Sequence, residues 1–307
     1  MSILKEVFNI IAFYLIIIIL MRVVQSVYGK KANLLLPDGI FPYTKYITIS
    51  KILATIFGII AICLSPLGFK GFDITTFLIA ACSGSFLAVS SLCSITSLKS
   101  GTMVLSSIFA TAGMIVPSVL GVVFFNESIS ILQILFVLIL IISMCILATA
   151  SKKIYGQFTG KNILYLVGNL ISNGMVMFCQ KLFGEIRPTG NVSLFSMLTF
   201  AIPAVILSIA LYFMSDRKKS NKTQRAFPKQ IYVCALFLAI AVFIIQQFVT
   251  LLTSQMSTVL LFAFVNCGAT IISALVGAAM YKEKMTIKST LAIIIGVIAL
   301  IGLKIFE

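Results

Sequence analysis

The stretch Gly121-Val-Val-Phe-Phe-Asn-Glu127-Ser-Ile-Ser130 decides the reading of this chain, because it returns as Gly277-Ala-Ala-Met-Tyr-Lys-Glu283-Lys-Met-Thr286. In both copies an apolar helix ends in Gly-x5-Glu. A polar turn follows, and a hydroxyl residue opens a second apolar helix. The match widens at the same offset of 156 (277 − 121). Thr102, Leu105, Ile115, Leu135, Ile142 and Leu147 return as Thr258, Leu261, Ile271, Leu291, Ile298 and Leu303. Duplicated apolar hairpins are the mark of a transporter built from internal repeats.

Composition sets the solvent. Of 307 residues, 60% are hydrophobic and 10% charged, and the mean hydropathy is +1.15. A water-soluble domain of this size cannot hide so much apolar surface. Apolar stretches long enough to cross a bilayer fill the chain, so it reads as an all-α integral membrane protein. The first stretch is too long for a signal peptide and lacks a small-residue cleavage site, so it reads as a retained helix.

Ten spans are expected, at Val7–Tyr28, Tyr46–Pro66, Phe72–Ser97, Gly101–Phe124, Ile129–Ala150, Asn162–Gln180, Val192–Met214, Ile231–Leu252, Thr258–Tyr281 and Ile287–Ile305. Five spans per half is odd, so a duplication places the second copy upside down. The expected organisation is a first five-helix repeat over residues 1–151, a short basic linker over 152–160 and a second repeat over 161–307. Lys and Arg concentrate in the odd-numbered loops, which by the positive-inside rule puts both termini outside the cytoplasm.

The net charge of +15 reads as orientation and contact with anionic lipid, with no nucleic-acid partner. The seven cysteines sit in apolar segments with no C-x-x-C pair, and are expected to be buried structural thiols. There is no histidine, which removes the commonest metal ligand and general base. No catalytic residue, metal or cofactor is expected. There is no G-x-x-x-x-G-K-[ST] loop either, so the chain carries no ATP engine of that kind.

The run from Leu98 to Ile108 and on through Gly121 to Ser130 resembles the drug/metabolite transporter superfamily, in its EamA-type ten-helix members. Leu261 through Glu283 is similar to the same motif in a more diverged copy. The resemblance implies export or exchange of small organic solutes such as amino acids, other metabolites or drugs across the cell membrane. It also implies a central cavity lined by the third, fourth, eighth and ninth spans, with help from the first and sixth, and both termini in the cytoplasm. On orientation it disagrees with the charge bias, and the two alternatives stay open. The partners are a small-molecule solute and membrane lipids; a homodimer is compatible with this setting.

Polar residues inside the spans are the pathway candidates, because an unpaired amide or charge facing lipid is costly. They are Arg22 and Gln25 in the first span, Ser90 and Ser94 in the third, Thr111 in the fourth and Asn173 in the sixth. Gln247 in the eighth and Asn266 and Thr270 in the ninth complete the set. Close helix packing explains the small ones equally well. Lys51, one turn into the second span, is expected to snorkel to the head groups.

Gly121, Glu127, Gly277 and Glu283 form the repeated motif. Each Glu is either a coupling carboxylate or a structural charge at the N-terminus of the following helix, the latter being favoured. Pro117 and Pro203 are either breaks on the substrate path or packing kinks.

No carboxylate lies mid-span, which favours facilitated diffusion or exchange over proton antiport. A second transport reading is an exchanger of phosphorylated or nucleotide-linked solutes, with Arg22, Lys51 and Lys181 as anion ligands. A third is a scaffold or lipid-handling protein without a transport path.

Overall fold

The computed structural model describes residues 2–37, 39–66, 68, 72–99, 109–150, 160–216, 227–281 and 286–306. Among these there is no strand. The helices are α1 (Ser2–Leu35), α2 (Ile40–Leu64), α3 (Ile74–Lys99), α4 (Ile115–Phe125), α5 (Ile131–Ala150), α6 (Gly160–Ile186) and α7 (Val192–Asp216). Then come α8 (Lys229–Leu252), α9 (Thr258–Ala263), a π-helical turn over Phe264–Gly268, α10 (Ala269–Tyr281) and α11 (Ile287–Ile305).

Among the described residues, eight helical segments are long and apolar enough to cross a membrane, and two apolar helices, Phe109–Phe125 and Ile131–Leu147, are shorter. The chain is a multi-pass membrane protein. Helices are forced here because lipid offers backbone groups no partner. Their outer faces stay apolar: Leu135, Leu138 and Ile142 on α5, and Ile294, Ile298 and Ile301 on α11, are exposed.

Several ends follow local rules. Asp73 Oδ1 accepts from Thr76 N at 2.8 Å at the start of α3, and Asp73 also pairs with Arg187. Asn191 Oδ1 accepts from Ser193 N and Leu194 N to open α7. Ser130 and Gln133 form a reciprocal capping box at 2.9 and 3.1 Å. Thr286 caps α11 by accepting from Ser289 N.

The principal packing pairs are α3 with α6 and α7, α2 with α7 and α8, α1 with α8 and α10, and α5 with α11; α4 packs on α6 and α9. Small residues bring backbones together. A Cβ on Gly174 of α6 would lie 2.5 Å from the Gly113 carbonyl oxygen and 2.5 Å from Val116 Cβ. A Cβ on Gly84 of α3 would lie 3.1 Å from the Thr199 carbonyl oxygen. That carbonyl is the one four residues before Pro203, whose ring has no N–H to offer it. α7 nevertheless runs through Pro203 as one helix.

Four expectations need correction. α1 continues to Leu35 and α2 starts at Ile40, so the first break is confined to the residues around Pro37 and Gly39. The lysines at 30, 31 and 45 read as loop residues, but they lie on helix ends. Pro42 sits in the first turn of α2, where a missing N–H costs nothing. Lys51 is therefore not one turn into its helix but one residue from the middle of the 25-residue span Ile40–Leu64. It is 8% exposed, far from the head groups it was expected to reach.

α6 likewise continues past Gln180 to Ile186, placing Lys181 inside a helix. All seven cysteines are free, but Cys63 and Cys82 are exposed on the outer surface instead of buried. The linker 152–160 lies almost wholly outside the described residues.

Candidate functional site

Two interrupted segments meet near the centre of the protein. In the first, the helical run Phe109–Ala112 turns at Gly113–Met114 before α4 resumes. Pro117 explains the break: its ring clashes with the carbonyl four residues back, that of Gly113. The local bonds tighten instead, with Val116 N donating to Gly113 O at 3.1 Å. In the second, the π turn Phe264–Gly268 separates α9 from α10. Such π turns concentrate at functional sites.

The interruptions face one another across a small pocket lined by Thr111, Ala112, Ile141, Met144 and Cys267. Cys267 Sγ lies 3.8 Å from Met114 Sδ. Residues 100–108 lie outside the described residues.

Two asparagines hold the interruptions in place. Asn173 Nδ2 donates to the Ala110 carbonyl at 2.7 Å, tying α6 to the first. Asn266, within the π turn, donates to Phe262 O at 2.9 Å and lies 3.7 Å from Met177 Sδ. Thr270 Oγ1 donates to the Asn266 carbonyl at 2.7 Å. Ser90 and Ser94 do not reach this place. Both hydroxyls donate to Asn169 Oδ1, at 2.8 and 3.2 Å, and clamp α3 to α6. Gln180 Nε2 donates to Gln246 Oε1 at 2.6 Å and joins α6 to α8.

Arg22 lies well inside α1, away from both ends of the apolar span Asn9–Leu35. Its neighbour Met21 packs in the same cluster as Val265 and Cys267 of the π turn. The guanidinium donates to Gln25 Oε1 at 3.2 Å, and its Nε is buried without a partner. Gln247 Nε2 is also buried and unpartnered.

Lys51 stands over the Phe200 ring at 5.2 Å. The stacked Tyr28–Phe237 pair and the tilted Tyr14–Phe248 pair bracket Arg22 along α8. Leu53 packs with Val242 of the same helix, putting Lys51 at that depth too. Among the described residues no carboxylate pairs with either cation.

The Gly-x5-Glu motif has a geometric cause. α4 ends at Asn126 in the left-handed conformation (φ 52°, ψ 32°), which turns Glu127 back over its own helix. Its carboxylate passes above Gly121, where a Cβ would lie 3.0 Å from Glu127 Oε2 and 3.2 Å from Thr258 Oγ1. Glu127 was expected at the N-terminus of the following helix, α5. It reaches the N-terminus of α9 instead, accepting from Thr258 N at 3.2 Å and Thr258 Oγ1 at 2.8 Å.

Lys181 Nζ lies 2.9 Å from Glu127 and 2.7 Å from Glu185, and donates to Thr253 O at 2.8 Å. All three ammonium donors are thus engaged, which removes Lys181 as a ligand for a solute anion. Gly277 falls within α10, and Glu283 lies outside the described residues.

Among the described residues no cluster of His, Cys, Asp or Glu has metal-binding geometry. No family model matches the chain, and no curated protein does. Twenty-eight chains of solved structures match. One, a crystal structure of a protein, superposes with a TM-score of 0.77 over 97% of both chains at 11% identity. At that identity the likeness establishes the fold alone, over essentially the whole chain.

Proposed function

We propose that the chain is a transporter of small organic solutes working by alternating access, with ten spans in two inverted five-helix repeats. We assign it to the EamA-type drug/metabolite transporters, on the motif resemblance described above, and give it no enzymatic activity and no cofactor.

The observation that carries this reading is the pair of interruptions. The offset of 156 that takes Gly121 to Gly277 takes Gly113 to Ala269, the residue directly after the π turn. Broken helices at corresponding positions of two halves point to the binding site of such a transporter. Helix packing supports the same relation. Exchanging each span with the one five later turns α3·α6 into α1·α8, α3·α7 into α2·α8 and α4·α6 into α1·α10. It returns α2·α7 and α5·α11 to themselves.

A scaffold without a path is favoured by the bonds that join Ser90, Ser94 and Asn169, and Gln180 and Gln246, helix to helix. It gives no account of the buried, unpartnered nitrogens of Arg22 and Gln247.

The test is uptake and efflux of labelled amino acids, phosphorylated solutes and cationic dyes in proteoliposomes, with and without a pH gradient. Movement of one solute class without the gradient is expected, given the lack of mid-span carboxylates. Movement only with the gradient would overturn the facilitator or exchange mechanism. A reconstituted protein that moves no member of the panel would sink the transport reading.

A further inference from the structure

Four sulfur side chains converge where the two interruptions meet. Met114 closes the turn at the first break, and Cys267 lies within the π turn. Met144 of α5 lines the small pocket between them together with Cys267. Met177 of α6 is the fourth. All are 0–4% exposed and belong to one core cluster. Met177 is engaged elsewhere, since the Asn266 amide lies 3.7 Å from its sulfur. Cys267 Sγ, by contrast, lies 3.8 Å from Met114 Sδ. Methionine fills irregular gaps in many cores. A thiol in contact with one thioether, beside a pocket that a second thioether lines, is also a ligand set.

We infer that Cys267, Met114 and Met144 form a three-sulfur site for a soft monovalent metal ion, Cu(I) or its close analogue Ag(I). Thiolate and thioether ligands select such ions, and the chain has no histidine to draw the metals that prefer imidazole. Metal–sulfur bonds of about 2.3 Å, set at trigonal to tetrahedral angles, hold two sulfurs about 3.8–4.0 Å apart. Cys267 and Met114 already stand at that separation. Charge makes the same selection. A Cys267 Sγ lone pair forms the bond to the metal, the S–H bond breaks, and the proton leaves to solvent. No electron is transferred. One proton exchanged for one monovalent ion keeps the centre neutral. A divalent ion would leave a net positive charge in a pocket whose lining holds no carboxylate. Met114 precedes α4 and Cys267 precedes α10, so a bound ion ties the two interruptions together.

The decisive experiment is titration of the full-length detergent-solubilised protein with Cu(I), held reduced by ascorbate under nitrogen. The coloured Cu(I) chelator bathocuproine disulfonate competes for the metal. The wild-type protein is expected to withhold at least one ion per chain from the chelator. Cys267→Ser is expected to withhold one fewer. Cys179→Ser, which alters a buried thiol in a different cluster, is expected to lose none. Met114→Leu and Met144→Leu keep the core volume. Each is expected to weaken binding at least tenfold, the lower end of the loss when only a supporting group of a metal site is removed. X-ray absorption at the copper edge, on protein loaded with one equivalent, is expected to show sulfur neighbours alone.

A monodisperse wild-type protein that yields all its Cu(I) to the chelator overturns the inference, and that result needs no variant to fold. An unchanged ion count in Cys267→Ser does the same. So does unchanged affinity in Met114→Leu or Met144→Leu, or a nitrogen or oxygen shell around the copper. Solute movement in proteoliposomes is a separate readout. A protein that holds Cu(I) and moves no solute sinks transport and leaves the site standing, and a carrier that holds no Cu(I) does the reverse.

Discussion

Lys181 and Lys51 are the same residue type, both buried inside membrane helices, and the protein treats them in opposite ways. Lys181 is 3% exposed, and its ammonium touches two carboxylates and a backbone carbonyl. Lys51 is 8% exposed and stands over an aromatic ring, with no carboxylate partner among the described residues. The first environment is complete: it ties α6 to the end of α4 and the start of α9 through Glu127 and Thr258. The second is incomplete in charge. A buried cation with all its partners is part of the framework, whereas one without them is held in place for a purpose other than stability.

The largest expected effect comes from removing the two lysines in turn. Lys181→Met leaves Glu127 without its cation, with only the Thr258 N–H and hydroxyl to satisfy it. It is expected to destabilise by about 3 kcal/mol, the lower end for breaking a buried pair, because Glu127 keeps 16% side-chain exposure. Lys51→Met removes an uncompensated charge and one weak ring contact, so stability is expected to stay level or rise. Unfolding midpoints of the two variants in mixed micelles, set against wild type, are the measurement. Equal losses would break the comparison.

Glu127→Gln comes next. The amide keeps the shape and one acceptor for Thr258, while Lys181 keeps Glu185. A loss of about 2 kcal/mol is expected, that of one charge-assisted contact. The same unfolding assay reads it, and a neutral result would mean that Glu185 alone satisfies the lysine. Gly121→Ala follows at about 1 kcal/mol, since the added methyl must push back the Glu127 carboxylate at 3.0 Å or the Thr258 hydroxyl at 3.2 Å. Combining it with Glu127→Ala, which removes the crowding group, in a double-mutant cycle should recover part of that loss. Strict additivity would mean that Gly121 is small for some reason other than the carboxylate.

Much of this was legible in the sequence and some was not, for identifiable reasons. The hairpins, the capping residues Ser130 and Thr286 and most helix positions follow from apolar runs and turn chemistry. The special role of Gly-x5-Glu was visible as a pattern, but its meaning was not. Glu127 acts across 131 residues on Thr258, and no local rule announces such a partner. Lys51 was misplaced because Lys30, Lys31 and Lys45 look like a loop, and α1 and α2 run on through them. Lys181 was misplaced because Glu185 and Arg187 blur the end of α6. Asn173 and Asn266 were rightly kept away from lipid, yet only coordinates reveal that they brace the interruptions. The break at Gly113 was half visible, since Pro117 forbids its bond, whereas the π turn has no Pro to mark it.

The smallest effect sharpens the comparison most. Glu185 is four residues from Lys181 on the same helix, and its side chain is 39% exposed. A pair of this kind in an open setting contributes about 0.3–0.5 kcal/mol. Glu185→Gln is therefore expected to lower stability by no more than that, and to lose the difference in high salt. Glu127→Gln, deeper and bonded to Thr258, should keep most of its cost under the same salt. If both losses vanish with salt, the Lys181 cluster is a surface pair like any other, and the distinction from Lys51 reduces to depth. If only the Glu185 loss vanishes, Lys181 is held by a desolvated carboxylate, and what separates it from Lys51 is that Lys51 has none among the described residues.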